Sequence, residues 1–254
     1  MSDQALKLDN PPIVEAVLDI ECDMRPGWQL SSVEASAREA FSDSYPVFQP
    51  QYFQEHHVEV KPGTPPTASM KQSISAYQFM HKDKKQLVQC RVHGFSFNRL
   101  APYTDLDDYL PEIERSWKLF VQLVSPMLVR QIQLRYINRI AVPLVYGKVD
   151  LDQYFTKGPR LPDEKNMTIA GFMNQIAARD TQSGHTMNIV LTSQPGEEKH
   201  LPIIFDNCVI ASSEKREPDD WDWILKTIHE LRSLKNRVFK ESVTTKCLDL
   251  FQQP

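Results

Sequence analysis

Glycine and an excess of charge of one sign are what this chain most lacks. Eight Gly against eighteen Pro in 254 residues favour rigid, kinked connections over glycine loops that cradle phosphates. The patterns HExxH, GxSxG, GxxxxGKS/T and GxGxxG are all missing, which removes the motif-borne routes to zinc hydrolysis, acyl transfer and dinucleotide binding. A net charge of −4 gives no long-range pull toward nucleic acid or an anionic membrane, and argues against both as partners. No apolar run approaches the roughly 20 residues of a spanning helix, and the opening MSDQALKLDN has no apolar core of a signal peptide. The expected location is the cytoplasm.

The four cysteines, Cys22, Cys90, Cys208 and Cys247, are far apart with no CxxC knuckle, so they read as buried free thiols. His56 and His57 are adjacent and face opposite sides of a strand, and His81 and His93 have no matching third ligand. No metal and no cofactor are expected.

What is present is an ordinary globular composition, 41% hydrophobic and 24% charged. Residues 13–23 alternate, with Val14, Ala16, Leu18, Ile20 and Cys22 on one face and mainly acids on the other, the pattern of a half-buried strand. A helix capped by Ser31 or Ser32 runs to Phe41, followed by a Pro-interrupted edge strand over 47–60 and a loop over 61–71. Strands over 73–81, 86–93 and 95–100 form a meander, and a helix opening at Asp105 or Asp108 closes at Ser125-Pro126. The strongest strand spans 127–142. A short helix near 151–155, three strands around 168–178, 186–192 and 203–212, and a helix from Glu217-Pro218-Asp219-Asp220 to Lys240 complete the chain.

The element order predicts an α+β fold: two similar β-α-β(3–4)-α halves, 1–126 and 127–254, fused through a mainly antiparallel sheet with long helices on one face. It resembles TATA-box-binding-type and Bet v 1-type folds in element order only, an analogy that carries no function.

Arg135 and Arg139 project from the polar face of the central strand and Arg91 from the meander, so the three could grip a small anion; the bland alternative pairs them with Glu15, Asp19 and Glu21. Asn138, on the apolar face, needs hydrogen-bond partners if buried, and either fastens a loop or faces a ligand cavity. Trp221 and Trp223, one residue apart at a helix start, predict that one remains at the surface as a partner site. The stretch His57-Val58-Glu59-Val60-Lys61 is the nearest match to the ExExK strand of tunnel-type phosphohydrolases, with a histidine in place of the first carboxylate.

Three blocks, NPPIVEAVLDI (10–20), RYINRI (135–140) and LKNRVFKESVT (234–244), resemble a sporadically distributed family of uncharacterised prokaryotic proteins of similar length. The resemblance implies a bacterial or archaeal protein encoded by mobile or defence-linked genes, and brings no established activity and no catalytic residues. The leading expectation is therefore a non-enzymatic binding protein acting through a protein partner or as a homo-oligomer, regulatory or antitoxin-like in a stress or defence module. The alternative is a protein for a small anionic ligand or nucleotide gripped by Arg135 and Arg139. The third reading is a metal-dependent phosphohydrolase using Glu15, Asp19, Glu21 and Glu59.

Overall fold

Alternation of apolar and polar side chains along long strands lets one sheet bury one face and leave the other polar. In the structure, a computed structural model describing residues 8–59, 67–163, 166–167 and 169–252, the chain does this with nine strands. They are β1 (Ile13–Asp23), β2 (Val47–Glu59), β3 (Thr67–Met80), β4 (Gln86–Arg91), β5 (Gly94–Leu100), β6 (Leu128–Pro143), β7 (Met173–Arg179), β8 (Thr186–Ser193) and β9 (His200–Arg216). The sheet order is β2-β3-β4-β5-β1-β6-β9-β8-β7, and every neighbouring pair is antiparallel. The helices are α1 (Glu34–Phe41), α2 (Leu110–Val124), α3 (Trp221–Ser242) and α4 (Thr245–Asp249). The fold is α+β.

β1 and β6 lie at the centre, registered so that Leu18 opposes Leu134 and Asp19 opposes Gln133. Leu18 and Ile20 of β1, Ile132 and Leu134 of β6, Phe95 and Phe97 of β5 and Val209 of β9 share one buried cluster with Phe41 of α1, Ile113, Trp117 and Phe120 of α2, and Ile224, Ile228 and Leu231 of α3. Each such side chain contributes about 1.5–3 kcal/mol when fully buried. A second cluster joins Ile140 and Val142 of β6, Ile203 and Phe205 of β9, and Phe239, Val243, Cys247 and Phe251 near the C-terminal end. Gly94 is required where β5 crosses β1: a Cβ there would lie 2.1 Å from the Ile20 carbonyl oxygen.

Several boundaries differ from the sequence expectation. β3 begins at Thr67, because it pairs with β2 along a two-stranded ribbon reaching Glu59↔Thr67, whereas β4 meets it only over Ala76–Met80. Val60 to Pro66, most of the expected loop and the end of the ExExK-like stretch, lie outside the described residues. Neither Ser31 nor Ser32 caps α1; a 3-10 turn at Leu30–Val33 precedes it, and Ser32 Oγ donates back to the Gln29 carbonyl at 2.7 Å. β9 runs on to Arg216, past the expected end at Ser212, and this extension lays the Arg216 guanidinium over the Trp223 ring at 5.5 Å. Trp221 and Trp223 are both half-buried against the main cluster, so the pair does not divide into one core and one surface ring. Asp220 caps α3, its Oδ1 accepting from the Trp223 amide at 3.1 Å.

Candidate functional site

On α3 the positions 232, 235, 236 and 239 fall at i, i+3, i+4 and i+7, so Arg232, Lys235, Asn236 and Phe239 form one stripe. On β6, Tyr136 and Asn138 are two apart and share a face. These two stripes, the segment Leu8–Ile13 leading into β1, and the connection Tyr103–Asp108 between β5 and α2 enclose a cavity of about 510 Å³. That volume suits a small organic ligand. The cavity lies where the two apolar clusters separate: Tyr136 belongs to the first, Ile140 and Phe239 to the second, and Asn138 lies between them.

Each wall is fastened. Pro12 O accepts from the Arg139 amide at 2.8 Å, and the Asn10 amide donates to Phe251 O at 3.0 Å, so the proline-bearing segment is held between β6 and the C-terminal end. Arg232 reaches across to the β5–α2 connection, with Nη1 on Asp107 Oδ1 at 2.7 Å and Nη2 on Asp105 Oδ1 at 2.9 Å. The Tyr103 and Tyr136 hydroxyls are 2.7 Å apart. Burial pushes both well above the ordinary tyrosine range, so both remain neutral. Asn207 of β9 donates from Nδ2 to the Lys235 carbonyl at 3.0 Å, which anchors the middle of α3 to the sheet.

Lys235 is the unusual member. Its residue is half-buried, its amine lies 3.8 Å from the Tyr136 ring centroid, and that amine forms no ion pair or hydrogen bond among the described residues. Burial, reinforced by the nearby Arg232 charge and only partly offset by Asp105, pushes the amine down from 10.5 to about 7. Asn138 is buried and donates from Nδ2 to Phe205 O at 3.0 Å and Tyr136 O at 3.3 Å. Both partners are carbonyls, so the amide orientation is determined, and its Oδ1 accepts no hydrogen bond among the described residues. An uncharged ligand donor or a ligand hydroxyl fits that oxygen.

The arginines read from the sequence are elsewhere. Arg91 Nη1 meets Asp19 Oδ1 at 3.2 Å, Arg135 Nε meets Asp206 Oδ1 at 2.9 Å, and Arg139 pairs with Glu197. Burial lowers and the Asp206 contact raises Arg135, and the contact dominates. The face carrying Arg91 and Arg135 is laced by further bonds: Gln89 Nε2 to Asn98 Oδ1 at 3.1 Å, Asn98 Nδ2 to Glu15 Oε1 at 2.7 Å, Gln133 Nε2 to Asp19 Oδ2 at 3.3 Å, and Ser96 Oγ to Asp19. Of the sequence candidates Arg91, Arg135, Asn138, Arg139, Trp221 and Trp223, only Asn138 lines the cavity. Among the described residues no cluster of three or more His, Cys, Asp or Glu is placed to hold a metal.

Sequence reading missed Lys235, Arg232, Tyr103 and Tyr136 as a group. Lys235 had a signal: it continues the 224, 228, 231 stripe that faces the core, so it is a lysine where an apolar residue belongs. The sequence segments 10–20, 135–140 and 234–244 meet here, through Pro11, Pro12 and Ile13, through Tyr136 and Asn138, and through Lys235, Asn236 and Phe239. The chain matches no protein-family model, and no curated protein matches it.

Proposed function

We propose that this protein binds a small organic molecule in the cavity between α3 and β6. The observation that carries the reading is the Lys235 amine, without an acidic partner, facing a 510 Å³ space walled by both apolar and hydrogen-bonding groups. A half-buried amine whose neighbour is an aromatic face rather than a carboxylate, at a cavity wall, marks a candidate binding site. Asp9, Asp105 and Asp108 outnumber Arg232 and Lys235 around the space, and Arg232 is already shared by two carboxylates. This balance favours a largely uncharged ligand with one oxygen acceptor toward Lys235 and one donor toward Asn138 Oδ1. Leu8, Pro11, Pro12, Ile13 and Phe239 suit an apolar body.

The scaffold we infer is a duplicated one. The sheet order β2-β3-β4-β5-β1 followed by β6-β9-β8-β7 mirrors across the β1/β6 pair, with long helices over one face, and this favours two related halves. In such a design the ligand sits beside the central seam, where a change of packing reaches both halves.

A second reading, action through a protein partner as in a regulatory or antitoxin-like module, draws on the β2–β3 ribbon. Tyr52, Phe53 and Met70 are 54%, 59% and 61% exposed there, beyond the third strand. Native mass spectrometry of the protein purified gently from its host tests both readings in one spectrum. The cavity reading expects a retained small mass, lost in Asn236→Trp, which fills the space from α3. A bare chain at both low and high collision energy would refute it. A stoichiometric protein partner lost in Tyr52→Ser with Phe53→Ser would establish the second reading instead.

A further inference from the structure

We propose that Lys235 forms a reversible imine with a small aldehyde or ketone carried on an apolar body. The inference rests on the reading of the cavity as a ligand site and assigns the chemical class of its occupant. Four observations converge on it. The amine lines a cavity large enough for a small organic carbonyl compound. It has no carboxylate partner to lock it as an ammonium ion, since Asp105 and Asp107 are engaged by Arg232. That same Arg232, one turn earlier on α3, adds a positive charge that disfavours a second one beside it. Tyr103 and Tyr136, whose hydroxyls are 2.7 Å apart, line the same cavity, and the amine rests 3.8 Å from the Tyr136 ring centroid, so a polar O–H pair borders the space next to it.

The charged and titratable groups facing the amine are Arg232 on its own helix, Asp105 and Asp107 on the β5–α2 connection, and the two tyrosines, with Asp9 and Asp108 also lining the cavity. Burial keeps the tyrosines neutral, and because one hydroxyl proton is used in the bond between them, a single O–H remains to donate to the carbonyl oxygen, with proton exchange left to water. The step balances without any oxidant or reductant. The Nζ lone pair attacks the carbonyl carbon, a C–N bond forms as the C=O π pair moves to oxygen, and a proton passes from nitrogen to that oxygen. The C–O bond of this carbinolamine then breaks, oxygen leaves as water after taking up a proton, and loss of the remaining N–H proton to solvent gives the imine. Hydrolysis reverses it.

The test uses the full chain, benzaldehyde as probe and cyanoborohydride at pH 7, which reduces an imine to a stable benzylamine. Peptide mapping locates the label. With its amine near 7 against 10.5 for an ordinary lysine, Lys235 should label at a rate comparable to the α-amino group and at least about tenfold above any exposed lysine. Labelling at that position should vanish in Lys235→Met and fall about tenfold in Asn236→Trp, with other sites unchanged. Label spread evenly over surface lysines, with the same total in Lys235→Met, overturns the imine. Benzamide, a carbonyl compound that forms no imine, separates the two failures by ligand-observed NMR. Saturation transfer present in the wild type and absent in Asn236→Trp leaves the cavity reading intact, whereas transfer absent in both, together with even labelling, removes both proposals.

Discussion

A lysine side chain held at a cavity wall without a counter-charge is a local loss that the rest of the fold sustains, and its sign can be read in stability against pH. Lys235 is near 10.5 in an unfolded chain and about 7 in the fold. Below about pH 7 both states are charged and the folded state bears the whole penalty. Between pH 7 and 10.5 the unfolded chain holds the extra proton, so this group stabilises the fold as pH rises. Thiols oppose it at the upper end: burial raises Cys90 and Cys247 from 9.0 to about 12, so their contribution is lost as pH climbs beyond 9. The clean window is therefore pH 7 to 9. Lys235→Met should be more stable than wild type at pH 7, with the gap narrowing by about 1 kcal/mol at pH 9 once partial exposure is allowed for. Urea titrations at the two pH values measure it, and a gap that is constant or widening would show that the amine is charged and satisfied in the fold.

Among the elements, α2 and α3 share the main apolar cluster with the central strands, and a buried hydrogen bond also ties α2 to the start of α3. Trp117 of α2 donates its indole N–H to the Pro218 carbonyl, just before α3, at 2.9 Å. The same ring packs at 5.7 Å from Phe95 and 5.4 Å from Phe120. Trp117→Phe keeps an aromatic ring but removes the donor, strands a buried carbonyl and leaves a void, so it should cost about 2–3 kcal/mol by chemical denaturation. A loss below about 0.5 kcal/mol would mean that the start of α3 is held by other contacts. Elements of this kind were readable in the sequence where burial imposed a period: β1 follows the alternation of Leu18, Ile20 and Cys22, and the α3 stripe follows Ile224, Ile228 and Leu231. The β2–β3 ribbon was hidden for the opposite reason. Met70 and its neighbours on the ribbon are exposed, so no alternation marks Thr67 to Gln72 as strand. The cavity was hidden because four separated segments build it, and Tyr103 and Asp105 come from a connection whose sequence shows no period at all. Asn138 alone was visible, as an amide interrupting an apolar strand face.

Across the whole molecule, the question is whether the two apolar clusters unfold together. The main cluster draws on both β1 and β6, on α2 and on α3, and so spans residues from each side of the Ser125-Pro126 break. The second contains the end of β6, β9 and the C-terminal segment, and is tied to the start of the chain through Asn10 and Phe251. β6 and β9 run through both clusters, registered from Val129↔Arg216 to Pro143↔His200, so a break between the clusters would cut across two continuous strands. The cysteines sample this arrangement. Cys22 and Cys90 lie in the main cluster, Cys247 in the second, and Cys208 is buried on the opposite face beside Arg135. Burial pushes each thiol from 9.0 to about 12, which suppresses the thiolate that reacts. Alkylation at pH 8 should therefore be slow at all four and proceed at one common rate set by global unfolding, rising together with urea. Mass spectrometry of the alkylated peptides resolves each site. Should Cys247 label well ahead of Cys22 and Cys90, the C-terminal cluster opens on its own, and the cavity at the seam would then be the boundary between two cooperative units.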